Sequence, residues 1–110
     1  MRLYYIYHSG FAIESDEVTV IIDYYKDGLE ELSGESIVRN RLLKKAGILY
    51  VLCSHRHSDH FNREVLSWNS LRPDIRYIFS KDIMRHRLAK PEDAVFINKG
   101  GIYEDEYISI

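Results

Sequence analysis

Ile48-Leu49-Tyr50-Val51-Leu52-Cys53-Ser54-His55-Arg56-His57-Ser58-Asp59-His60 is the stretch on which the reading of this chain turns. Its first six residues are continuously apolar and strand-sized, and its last six hold three of the chain's five histidines with a carboxylate between the last two. Imidazole and carboxylate are the usual ligands of a borderline metal such as Zn²⁺. A strand that delivers such a cluster at its end therefore reads as a metal site, and a metal site implies activation of a bound water. Residues i and i+2 of an extended segment point the same way, so His55 and His57 can reach one metal, at roughly 2.0–2.1 Å in a good site. Asp59 and His60 fall where the chain turns toward the next helix and can reach a second metal; Asp59 also suits the catalytic task of orienting the nucleophilic water. The plain alternative is a solvated polar loop, and the density and spacing of the four ligands weigh against it.

Working back from this stretch, Leu3–Tyr7, Phe11–Glu14 and Val18–Asp23 read as three short strands joined by tight turns, an antiparallel meander. Val18–Ile22 is apolar at nearly every position and is expected to be buried on both faces. Asp23 closes that strand and is placed to accept a hydrogen bond from a metal-bound histidine, fixing its tautomer. Tyr24–Glu35 reads as loop. Ser36 is an N-cap for a helix over Ile37–Ala46, and Gly47 is its stop. Past the cluster, Asn62 caps a short helix reaching Trp68, Ile75–Phe79 is a strand, and Ser80 opens a helix through Leu88. Ala94–Ile97 and Gly101–Glu104 read as two more strands, and Tyr107–Ile110 as the start of another. A meander followed by strand–helix alternation predicts an α/β domain: a mixed sheet carrying helices on one face.

With 110 residues the chain is one small domain, residues 1–110. A net charge of −2 gives no basic footprint, so nucleic acid is not an expected partner, and the basic residues Arg39, Arg41, Lys44 and Lys45 read as a solvated helix face. No apolar stretch reaches membrane-spanning length, and the N-terminus lacks the features of a signal peptide. A single cysteine, Cys53, rules out an internal disulfide and suits a reducing cytoplasm. Cys53 reads as a small apolar core residue, His86 as a surface helix residue, and Trp68 as a core anchor. No glycine-rich phosphate loop and no Gly-x-Ser-x-Gly elbow is present, so a nucleotide site and a serine hydrolase are unsupported.

His55-x-His57-x-Asp59-His60, preceded by an apolar strand and Ser54, resembles the signature of the metallo-β-lactamase superfamily. Tyr7-His8-Ser9-Gly10-Phe11-Ala12-Ile13-Glu14 is similar to the opening of its lactonase-like and phosphodiesterase-like branch, with Tyr7 where a glycine is usual. The resemblance spans essentially the whole chain, and it implies a hydrolase in which metal-bound hydroxide attacks an ester, lactone, amide or phosphodiester of a small molecule. It assigns His55 and His57 to a first metal and Asp59 and His60 to a second, with Asp23 and His8 near the same pocket; His8 reads equally as a structural turn histidine that bonds backbone. The cofactor implied is Zn²⁺, one or two ions, with iron or manganese as substitutes that the ligands also suit. Family members are αββα sandwiches about twice this length, so the chain reads as a truncated N-terminal half. The second half supplies further ligands in the family, and none is legible after His60. A homo-oligomer or a missing C-terminal half is expected to cover the open sheet face. The rival expectation is a non-enzymatic metal-binding or structural half-domain that pairs with another chain.

Overall fold

The computed structural model describes the chain apart from His8, Ser9, residues 29–35, Ser58, Asp59, Lys99, Ile110 and the side chain of Asn40. Six strands form one sheet in sequence order: β1 (Arg2–Tyr7), β2 (Gly10–Glu14), β3 (Val18–Ile22), β4 (Ile48–Cys53), β5 (Arg76–Ser80) and β6 (Val95–Ile97). The first three pair antiparallel, as the short turns require. The rest pair parallel, with Ile22 opposite Leu52, Cys53 opposite Phe79 and Ser80 opposite Ile97. Parallel strands need crossovers, and helical segments supply them: a π-helix at Val38–Leu42, a helix at Glu64–Ser67 continued by a 3₁₀ turn at Trp68–Ser70, and a helix at Lys81–Arg85. The α/β class, the antiparallel start and the mixed sheet agree with half of a lactamase-type sandwich.

The core lies between these helices and one face of the sheet. Alternate strand residues (Ala12, Ile21, Leu49, Val51 and Phe79) are fully buried against Val38, Leu42, Val65 and Ile83. Trp68 anchors this layer as its composition suggests. Its ring meets Tyr24 edge-on at 4.9 Å, and its Nε1–H donates to Glu64 Oε2 at 3.1 Å. The other face is different. Val18, Val20 and Ile22 are only half-buried, so β3 is covered on one side and not on both.

Four local expectations are corrected. The helix expected over Ile37–Ala46 is a π-helix of five residues. Asp27 Oδ2 accepts from the Val38 amide at 3.0 Å and from the Ser36 hydroxyl at 2.8 Å, while Ser36 Oγ accepts from the Arg39 amide at 2.9 Å. Ser36 thus caps the turn as expected, and the wide turn sets Val38, Leu42 and Leu43 inward together. The helix after Ser80 ends at Arg85, because Arg87 takes a left-handed conformation (φ 60°) and the Leu88 amide returns to the Ile83 carbonyl. Gly101–Glu104 and the residues from Tyr107 form no strand, only a bridge between Glu104 and Ser109. Asp105 is the cause: its Oδ1 accepts from the Tyr107 and Ile108 amides at 2.8 and 3.0 Å and bends the segment into a turn. Gly47 is not the stop of the π-helix, which ends at Leu42 with Leu43 as its cap; Gly47 instead turns the chain into β4. Its φ is +107°, and a Cβ there would lie 2.5 Å from the Glu17 carbonyl oxygen.

Candidate metal centre

Because β3, β4 and β5 run parallel, their C-terminal ends leave the sheet at one edge, and the candidate ligands are gathered there. Asp23 follows β3, Ser54 to His60 follow β4, and Asp82 follows β5. Edges of this kind are the usual place for a site in an open α/β sheet.

Asp23 organises the cluster. It is buried, it sits at φ 51°, and its amide is tied to the Leu52 carbonyl at 2.9 Å. A left-handed backbone is costly for a residue with a Cβ, and aspartate is among the few that tolerate it. The bend turns the carboxylate onto the β4 loop. Oδ1 accepts from the Ser54 amide at 2.7 Å, and Oδ2 accepts from the Ser54 hydroxyl at 2.7 Å and from His60 Nδ1 at 2.9 Å. The Asp23 carboxylate thus stands directly behind the His60 ring.

The proton count then fixes two tautomers. Ser54 gives its only hydroxyl proton to Asp23, so the 3.0 Å contact between Ser54 Oγ and His55 Nδ1 requires His55 to donate. His60 donates from Nδ1 to the same carboxylate. Both rings therefore carry their lone pair on Nε2, the form in which a histidine binds a metal while its other nitrogen is held by a carboxylate or hydroxyl.

The loop is bent, not extended, from His55 to His57. The His57 carbonyl accepts from the amides of His60 and Phe61, both at 2.9 Å, and this turn carries His60 back over His55. Their ring centroids are 3.8 Å apart, whereas His55 and His57 stand at 5.4 Å and nearly perpendicular. Phe61 is buried edge-on against Phe79 at 5.3 Å and pins the exit of the turn. His57 is exposed, while His55 and His60 are half-buried. Asp59 and His8, expected at the same site, lie outside the described residues.

The donor chemistry suits a metal that prefers imidazole nitrogen. Among the described residues, however, no three His, Cys, Asp or Glu side chains stand close enough to hold an ion by themselves. The described ligand set is therefore partial. Cys53 adds nothing to it: it faces the core beside Phe79, and burial, reinforced by the Asp23 charge, pushes its thiol well above the ordinary range. His86 is exposed at the end of its helix, as expected. Arg39 and Arg41 are not a free basic patch. Arg39 meets Glu64 at 3.1 Å, and Arg41 meets Glu14 at 3.0 Å.

Beside the cluster a cleft of about 420 Å³ opens between the ends of the strands, lined by Ile22, Leu52, Ile78 and Ile97 with Ser54 and Asn98. It shares Ser54 with the Asp23 network, so any molecule in it lies against the histidines' loop. Asp82 is the site residue that sequence reasoning missed. Its Oδ2 accepts from the Arg56 amide at 3.1 Å, inside the ligand loop. The only signal was an acid in the first turn of a helix that directly follows a strand.

A family model described as "Beta-lactamase superfamily domain" matches residues 2–106. No curated protein matches the sequence.

Proposed function

Because this chain belongs to the beta-lactamase superfamily of domains, we propose that it is the metal-binding half of a hydrolase acting on an ester, lactone, amide or phosphodiester of a small molecule. The observation that carries this reading is the single carboxylate of Asp23, which fixes His55 (through Ser54) and His60 in their metal-binding tautomers. His55, His57 and His60 would hold Zn²⁺, with Asp59 as the carboxylate ligand that the signature adds. A bound Zn²⁺ supplies a nucleophilic water at neutral pH and polarises the carbonyl or phosphoryl oxygen. Asp23 and Ser54 keep the imidazoles oriented. The apolar cleft beside them takes the carbon skeleton of the substrate and excludes water from it. No helix among the described residues is long and apolar enough to cross a membrane, and we place the protein in the cytoplasm on the strength of its single buried thiol.

A partner layer belongs to the same proposal. The open sheet face carries Leu3, Tyr5, Phe11 and Val95 to the surface, and exposed apolar side chains grouped on one face mark a contact surface. A second sheet, from a second copy or from a further stretch of polypeptide, would cover it and bring the ligands that the partial set lacks. The open face and the partial ligand set also favour the second reading, a structural half-domain that pairs with another chain without chemistry of its own.

Zinc retained after exhaustive dialysis against metal-free buffer separates the two. The hydrolase reading predicts one or two ions per chain, retained by the assembled protein. His57→Ala should lower the affinity by about tenfold or more, since even residues behind the ligands cost that much. His86→Ala should leave it unchanged. No retained zinc in any oligomeric form, or equal affinity in His57→Ala, overturns the metal assignment and leaves the structural reading.

A further inference from the structure

We infer that Asp82 is a positioning residue for the histidine loop, forming with Asp23 a pair of carboxylates that grip the loop from the strands on either side of β4. The inference rests on the metal reading above and adds to it a residue outside the signature.

Asp23 comes from the end of β3 and holds the loop at Ser54. Asp82 comes from the first turn after β5 and holds it two residues later, at the Arg56 amide. Arg56 is the residue between His55 and His57, so its peptide plane sets the direction in which both rings leave the backbone. The loop is bent there, and the Asp82 carboxylate is what holds that amide among the described residues. The other carboxylate oxygen of Asp82 is buried and has no hydrogen-bond partner among the described residues. A buried acceptor left unpaired is destabilising. The arrangement is accounted for if the carboxylate serves the loop: one oxygen bonds its amide, and the other stands buried beside it.

Two variants and two readouts test this. Asp82→Ala should weaken Zn²⁺ binding by about tenfold or more, as loss of groups that orient ligands does, measured by competition with a chromophoric chelator. In the metal-free protein it should raise hydrogen exchange at the Arg56 amide while exchange in β4 and β5 stays as it was. Asp82→Asn keeps an acceptor oxygen for that amide and should restore both the affinity and the protection. Equal zinc affinity in Asp82→Ala and the unsubstituted protein overturns the inference and leaves the metal reading intact. So does an affinity loss accompanied by faster exchange throughout β4 and β5, which marks general destabilisation. Failure of the unsubstituted protein to bind zinc at all overturns both.

Discussion

The two faces of the sheet are made by the same strands, and nearly the same kinds of residue, yet they have opposite fates. On the helical face Ile21, Val51 and Phe79 are 0% exposed. On the other, Leu3 and Tyr5 remain 69% and 64% exposed. Alternation along a strand ordinarily separates apolar from polar, because one face meets water. Here it separates apolar from apolar. The open face is written for contact, and only the edge near Tyr50 finds it within the described chain. There the turn at Asp105 folds back: its Oδ2 accepts from the hydroxyls of Tyr50 and Tyr103, both at 2.7 Å, and from Arg76 at 2.8 Å. Hydrophobicity of a strand therefore reports that a face will be covered, and not by what.

The comparison is broken most easily on the covered side. Trp68→Ala should cost about 3–5 kcal/mol, the usual range for emptying a buried aromatic site, and a small domain has only about 5–15 kcal/mol in total. Urea unfolding followed by circular dichroism reads it; a cost near zero would mean that the helical layer is not the core. Gly47→Ala comes next, at about 1–3 kcal/mol from the backbone conformation alone, since the left-handed φ and the Glu17 carbonyl both oppose a side chain.

The Asp105 turn sharpens the comparison through pH. Burial raises the Asp105 carboxyl, but the bonds from Tyr50, Tyr103 and the Tyr107 and Ile108 amides outweigh it and hold the group well below the usual carboxylate range. A folded value below the unfolded one means that the contribution is complete above about pH 4, the unfolded value, and is lost as pH falls toward the folded one. The amide shifts of Tyr107 and Ile108 should move below that pH while those of Val51 stay fixed. Asp105→Asn should abolish the step, and an unaltered step would assign it elsewhere. The smallest effect on stability is expected on the open face. Tyr5→Lys should change unfolding by no more than about 0.5 kcal/mol yet reduce self-association in sedimentation, and a large loss of stability would show that the face is already packed.

Much of this was legible in the sequence. The bounds of β4 are those of its apolar run, Ile48–Cys53, and Asn62 caps the following helix through its Oδ1, which accepts from the Glu64 amide at 2.9 Å. Those signals are local. What was not legible depended on contacts that no residue pattern encodes, several of them between partners well separated in the chain. The π-helix owes its shape to Asp27, which is nine residues before Ser36. The C-terminal turn answers to Tyr50 and Arg76, across the sheet. In the site, the spacing of His55 and His57 suggested an extended pair. The turn closed by the His57 carbonyl sets His60 on His55 instead, and no periodicity encodes that. Asp82 escaped for the same reason: its partner is an amide, which has no letter in the sequence.

One carboxylate at the end of β3 serves Ser54, His55 through it, and His60. Genetically, positions 23, 54, 55 and 60 then behave as a single locus. The first substitution among them takes most of what there is to lose, a second adds little, and effects measured one at a time sum to more than the whole. A library that varies these positions independently will meet a plateau, and the route out of it is to change them together.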